Sequence, residues 1–268
     1  MSVHLPSRAI RTWRGARPSL TLVLLAALLA ACTRSAGLVV AGSTSLLPLV
    51  EVLARAYEAA GGPRVSLQGG GSTAGLVAVR SKVAEVAMVS RDLTPEEERE
   101  GFQAHVIAYD VLAIVVHPSN PVDGLTREQL RRLMAGQITD WAEVGGLPGP
   151  VHLVNREWGS GSRDAIERLV GPTRHDTAVL NANGFIRLVV RQAPSAVGYL
   201  SLSVARAGGV KLLRVDGRLP GEPGYPLVRP LTLVTLGPPD REAQAFLDFV
   251  LGPTGQRLVA EQGMLPAR

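Results

Sequence analysis

The stretch REWGSGSRD, residues 156 to 164, gathers two glycines, two serines and two arginines at a turn, and AIERLV then continues as a helix. A helix start leaves its first amide hydrogens without intrahelical acceptors, and small residues let another group approach them closely. That combination suits an anion. A plain N-cap by Ser160 or Ser162 explains the same letters, so the motif has to be weighed with its neighbours. Two further strand-to-helix turns have the same make-up: Gly42, Ser43, Thr44 and Ser45 in one, and Gly69, Gly70, Gly71, Ser72 and Thr73 in the other. Ser90 and Arg91 end a further strand. In an open α/β sheet such turns all lie at the carboxyl edge of the strands, so several of them can face one point. Helix N-termini supply partial positive charge, hydroxyls supply adjustable donors, and Arg156 supplies a two-pronged fork, a set fitted to a tetrahedral oxyanion. Arg163 and Asp164, inside the following helix, are expected at the surface or behind the site.

The elements that must position these turns follow from periodicity. GLVVAG, RVSLQG, AEVAMVS, PVHLVN, AVGYLSL and KLLRV read as short buried strands. Between them, LLPLVEVLARAYEAAGG keeps Leu46, Leu49, Val50, Leu53 and Tyr57 on one helical face. Thr94 with Glu97, and Thr126 with Gln129, have the spacing of capping boxes that open two more helices. Alternating strands and helices predict an α/β fold with a mainly parallel sheet. Two extended runs, near residues 106–117 and 225–236, flank a middle block. They predict two lobes joined by a two-strand hinge, residues 37–113 with 229–268 forming one lobe and 114–228 the other, with the ligand cleft between them.

The first 31 residues are of another kind. Arg8, Arg11, Arg14 and Arg17 precede an apolar run from Leu20 to Ala31, the pattern of a secretory signal, and the run is too short to span a membrane. Cys32, the only cysteine, follows Leu29, Ala30 and Ala31, which resembles a bacterial lipobox and implies acylation at Cys32. The expected location is therefore the cell envelope, on its periplasmic or extracellular face, tethered by lipid. Taking the four signal arginines from the 28 Lys+Arg leaves 24 against 23 Asp+Glu, so the apparent basicity sits mostly in the removed segment. Nucleic-acid binding loses its support. No Gly-x-Ser-x-Gly elbow is present, and GGGSTAGL lacks the lysine of a phosphate-splitting P-loop. His105, His117, His152 and His175 form no metal-ligand spacing with Cys32, and His4 lies in the signal. No catalytic residue, metal or cofactor is expected.

VVAGSTSLLPLVEVLARAYE, VSLQGGGSTAGL, AEVAMVSRDL, LTREQLRRLMAGQITDWAEVGG, REWGSGSRDAIERLV and SAVGYLSL together resemble, in order, the motifs of the phosphate-binding lipoproteins of ABC-type phosphate importers. The resemblance runs from about residue 38 to the end. It implies a type II periplasmic-binding-protein fold that closes on inorganic phosphate and passes it to an ABC permease, acting as a monomer. By motif it implies ligand contacts from Thr44, Ser45, Ser72, Ser90, Arg156, Ser160, Gly161 and Ser162. In that family the second residue after the arginine is commonly acidic and accepts the proton of hydrogen phosphate; here it is Trp158, a lid or a packing residue. Glu157, turned inward, or Asp92, reaching past Arg91, are the candidates to replace it. Glu85 and Ala87 stand where the family usually has aspartate and glycine, a change expected to touch packing more than binding. The alternatives left open are a receptor or sensor for sulfate or molybdate and, further off, a serine hydrolase.

Overall fold

The computed structural model describes residues 37–174 and 178–267. The signal segment, Cys32 and His175 lie outside the described residues.

The strands are β1 (Leu38–Gly42), β2 (Val65–Gly69), β3 (Val86–Val89), β4 (Phe102–Val116), β5 (Gly124–Leu125), β6 (His152–Arg156), β7 (Ala178–Leu180), β8 (Ala196–Ser201), β9 (Lys211–Leu212), β10 (Arg214–Val215), β11 (Val228–Leu236) and β12 (Leu265–Pro266). The main sheet has the order β2-β1-β3-β11-β4-β8-β6-β7, with β9 and β12 also against β4, while β5 and β10 form a separate pair. β1 pairs in parallel with β2 and β3, and β6 pairs in parallel with β7 and β8. β4 and β11 run antiparallel to each other and to their other neighbours. The expected parallel sheet therefore holds on each side of the molecule but not at its centre. The reason is direction: β4 carries the chain into the middle block and β11 carries it back.

β4 belongs to both sides. Its residues from Phe102 to Val111 pair with β11, and Leu112 to Val116 pair with β8. Two apolar cores divide at the same place. One holds Leu38, Leu53, Val86, Ile107, Leu231 and Phe246; the other holds Leu112, Ile114, Leu153, Ile166, Ile186 and Tyr199. A smaller third core, with Ala41, Leu76, Ala87 and Val89, lies on the other face of the first half-sheet. β3 shows how one short run serves both faces: Val86 and Met88 enter one core while Ala87 and Val89 enter the other, following the two-residue period of a strand. Such burial on both faces requires an unbroken apolar stretch.

The helix Leu47–Ala59 buries Leu49, Val50, Leu53, Ala54 and Tyr57, the face expected from the sequence, and Tyr57 meets the ring of Phe246 edge-on at 5.3 Å. Replacing Leu53 with alanine there would cost about 2 to 5 kcal/mol in lost transfer and cavity terms. Both capping boxes form: Thr94 and Glu97 open the helix Pro95–Arg99, and Thr126 and Gln129 open the helix Arg127–Met134. The sheet thus brings the Gly42–Leu46 turn, the start of the helix Ser72–Arg80, the end of β3 and the start of the helix Gly161–Val170 toward the line where the two half-sheets meet.

Candidate anion site

Gly42 ties the first two turns together. Its carbonyl accepts the N–H groups of Gly70 and Gly71 at 2.9 and 3.0 Å, and its φ of +137° is backbone that only glycine adopts readily. Ser72 then opens its helix, and its Oγ accepts the N–H of Ser90 at 3.1 Å. The Ser72 and Ser90 hydroxyls lie 3.4 Å apart, and Ser43 donates to Ser90 at 2.9 Å. All three serines are buried.

The other wall comes from β6 and the helix after it. Ser160 is the N-cap, its hydroxyl accepting the Arg163 N–H at 3.5 Å and its carbonyl the Asp164 N–H at 2.9 Å. The N–H groups of Gly161 and Ser162 therefore precede Asp164, the first residue whose N–H finds an intrahelical carbonyl. Gly161 faces the first wall so closely that a Cβ there would fall well inside contact distance of both the Ser72 and Ser90 hydroxyls. Ser162 Oγ shares a hydrogen bond with Ser45 Oγ at 3.0 Å, and Ser45 accepts another from Asn183 Nδ2 at 3.0 Å.

Arg156, the last residue of β6, is 1% exposed and reaches across to Thr44, donating from Nη2 to Oγ1 at 3.2 Å. It also donates from Nη1 to Asn183 Oδ1 at 3.0 Å and to Ser162 Oγ at 3.4 Å. Its other edge is held by Glu157, with Nε to Oε2 at 2.8 Å and Nη2 to Oε1 at 2.9 Å. The Arg156 amide is fixed in turn by Asn155 Oδ1, which accepts from the Tyr199 hydroxyl. Burial pushes the Tyr199 phenol far up, so it remains a protonated donor.

The structure brings Thr44, Ser45, Ser72, Ser90, Arg156, Ser160, Gly161 and Ser162 into one cluster. It treats other residues differently. Arg91 turns away from the cluster to bind Asp164 at 2.8 Å and both oxygens of Glu97 at 2.7 and 2.8 Å. Burial raises the Asp164 carboxyl above its ordinary value and outweighs the pull of Arg91. Arg163 is 2% exposed rather than superficial, because it donates to the Arg156 carbonyl at 3.2 Å and pairs with Glu167 at 3.0 Å. Trp158 is 69% exposed and stacks on the Arg163 guanidinium at 3.6 Å, so it covers that arginine from outside and fills no core. Glu157 does turn inward, whereas Asp92 stays exposed near Arg168. Glu85 accepts the Val39 N–H at 2.8 Å. Among the described residues no group of three or more His, Cys, Asp or Glu gathers as a metal site.

Three contributors escaped the sequence reading: Asn183, Arg229 and Asp110; Ser43 was read as part of its turn, without a contact of its own. Arg229, in β11, donates from Nη1 to Ser162 Oγ at 2.8 Å and is held by Asp110 of β4 at 2.8 and 3.1 Å. A signal existed, since Asp110 and Arg229 are lone opposite charges in the two apolar runs assigned to the hinge.

Two half-sheets sharing a strand pair, with polar turns of both aimed at one seam, define a solute-binding protein of the periplasmic type. Residues 30–254 match the PBP superfamily domain. The chain is 30% identical over 246 residues to the phosphate-binding protein PstS of Borreliella burgdorferi, covering 84% of this chain and 88% of that one. It superposes on a putative phosphate ABC transporter substrate-binding protein with bound phosphate from Clostridium perfringens, with a TM-score of 0.81 and 32% identity over 86% of this chain and 99% of that one. An ABC-type phosphate transport receptor from Vibrio cholerae superposes with a TM-score of 0.73 and 32% identity, over 85% and 99% of the two chains. The chain belongs to the PstS family of phosphate-binding proteins. The family has the two-lobed fold and comprises extracytoplasmic, non-enzymatic transport receptors.

Proposed function

We propose that this protein captures inorganic phosphate outside the cytoplasm and delivers it to an ABC permease, acting as a monomer tethered by lipid on Cys32. The convergence of Thr44, Ser45, Ser72 and Ser90 from one side with Arg156, Ser160, Gly161 and Ser162 from the other is the observation that carries this reading. Buried hydroxyls, helix-start amides and a guanidinium whose edge away from Glu157 meets hydroxyls and an amide oxygen are the donors that an anion stripped of water needs. The lobes are residues 37–113 with 229–268, and 114–228. Because the donors come from both, the anion binds the closed arrangement more tightly than the open one and so shifts the molecule toward it.

Glu157 supplies the selectivity that Trp158 does not. Its carboxylate lies on Arg156 and beside the Gly71 turn, where hydrogen phosphate can donate its proton while sulfate only repels. Calorimetry of phosphate against sulfate from pH 5 to 9, with a chromogenic phosphate ester as a turnover control, tests the reading. Phosphate is expected to bind, with sulfate far weaker and the ester untouched. Equal affinity for sulfate would remove the phosphate assignment and leave a general oxyanion receptor.

A further inference from the structure

Arg229 and Asp110 face each other across the central strand pair, both about 2% exposed. Asp110 Oδ2 takes Nε and Nη2 of Arg229 at 3.1 and 2.8 Å, and its Oδ1 accepts the Ser201 hydroxyl at 2.7 Å. One edge of the guanidinium is thereby used. Its remaining nitrogen, Nη1, points into the cluster, donating to Ser162 Oγ at 2.8 Å and to the Ser90 carbonyl at 3.3 Å. Arg156 Nη1 approaches the same Ser162 Oγ from the other side at 3.4 Å.

The two arginines are therefore built alike. Each has an edge occupied by a carboxylate, Glu157 in one case and Asp110 in the other, and each aims Nη1 at one serine hydroxyl. Ser162 Oγ can accept from both cations only by donating its own proton to Ser45 Oγ, which leaves it no donor for a ligand and makes the two Nη1 groups share one small oxygen. Burial, with Arg156 adding to it, lowers the Arg229 pKa, against the opposing pull of Asp110. Each guanidinium is balanced by one carboxylate on its far edge, so the two Nη1 groups that converge on Ser162 are the donors placed to take an oxygen of a shared anion.

We propose that Arg229 is a second anion-binding arginine, presented from the hinge strand, which contacts a phosphate oxygen together with Arg156. This rests on the phosphate reading given above and adds a ligand that no turn motif contains. Arg229 stands on the hinge and touches Ser90 on one side and Ser162 on the other, so the anion is gripped by both walls and by the strand pair between them.

Removing Arg229 alone leaves Asp110 buried and unpaired, so the test replaces both charges with amides of similar shape, Asp110→Asn with Arg229→Gln, in the full mature protein. The double variant is expected to melt within a few degrees of the parent and to bind inorganic phosphate at least thirtyfold more weakly, about 2 kcal/mol at 1.4 kcal/mol per decade. Arg229→Lys is the second variant: its single ammonium pairs with Asp110 and cannot also reach the anion, so about a tenfold loss without loss of fold is expected. A folded variant of either kind that binds phosphate within threefold of the parent overturns the role of Arg229 and leaves the receptor reading standing. Absence of phosphate binding by the unaltered protein overturns both.

Discussion

Gly161→Ala puts one methyl group where the two walls meet. The backbone at Gly161 is the first turn of a helix, which alanine favours over glycine by up to about 1 kcal/mol, so the helix itself gains or is unaffected. The added Cβ instead strikes the Ser72 and Ser90 hydroxyls, which come from the opposite half-sheet. Either the serines rotate away and their hydroxyls leave the anion, or the walls stay apart. Overpacking of this kind costs about 1 to 3 kcal/mol, and if it falls wholly on the closed arrangement, phosphate affinity drops about 5- to 150-fold. The two effects have opposite signs, which makes the variant informative. Calorimetry should show weakened phosphate binding while the melting temperature without phosphate is unchanged or higher. Parent-like affinity refutes the contact as part of the site. A fall in stability equal to the fall in affinity refutes the idea that the two walls can part, and makes the contact an ordinary piece of core.

Arg156→Ala should weaken phosphate binding by about 2 to 4 kcal/mol, the scale for removing one partner of a buried charge-assisted pair, and calorimetry on a variant shown to be folded reads it directly. Glu157→Gln should narrow the preference for phosphate over sulfate at least tenfold in competition titrations, since the carboxylate that holds Arg156 loses its charge. An unchanged ratio would take Glu157 out of the selection. Glu97→Gln concerns stability and not binding. Burial pushes the Glu97 carboxyl up, but its bonds to Arg91 and the Thr94 N–H outweigh that and hold it below its ordinary value. Its stabilising effect is therefore complete above the usual glutamate range and is lost as pH falls through the lowered value. Urea unfolding should show the variant about 1 to 3 kcal/mol less stable at pH 7, with the gap closing in strong acid.

Much of the candidate site's geometry was legible in the sequence because its chemistry is local. A glycine-and-hydroxyl turn between a strand and a helix says what its own amides and hydroxyls can do, and Ser72, Ser90, Arg156 and Gly161 are where such turns must place them. The capping boxes at Thr94 and Thr126 formed for the same reason. What stayed hidden depends on pairing between distant segments. Arg229 meets Asp110 only through the register of β4 and β11, so although each is a lone charge in an apolar run, nothing local says that the two pair or face the cluster. Arg91 shows the same limit from the other side: its place at a strand end pointed toward the cluster, yet Glu97 and Asp164 together offered a stronger set of acceptors. Trp158 stays open between lid and packing residue in the sequence, because the Arg163 guanidinium that its ring covers is five residues away in the next helix.

β4 passes from one half-sheet to the other without a break, and β11 lies hydrogen-bonded beside it with a single irregularity between Leu231 and Thr232. Two strands laced in this way can flex and twist, but a slip of one residue would move every side chain to the opposite face and part Arg229 from Asp110. The joint is therefore laced along its length rather than hung on a loop, and it holds the Thr44 hydroxyl of one half-sheet opposite the Arg156 guanidinium of the other.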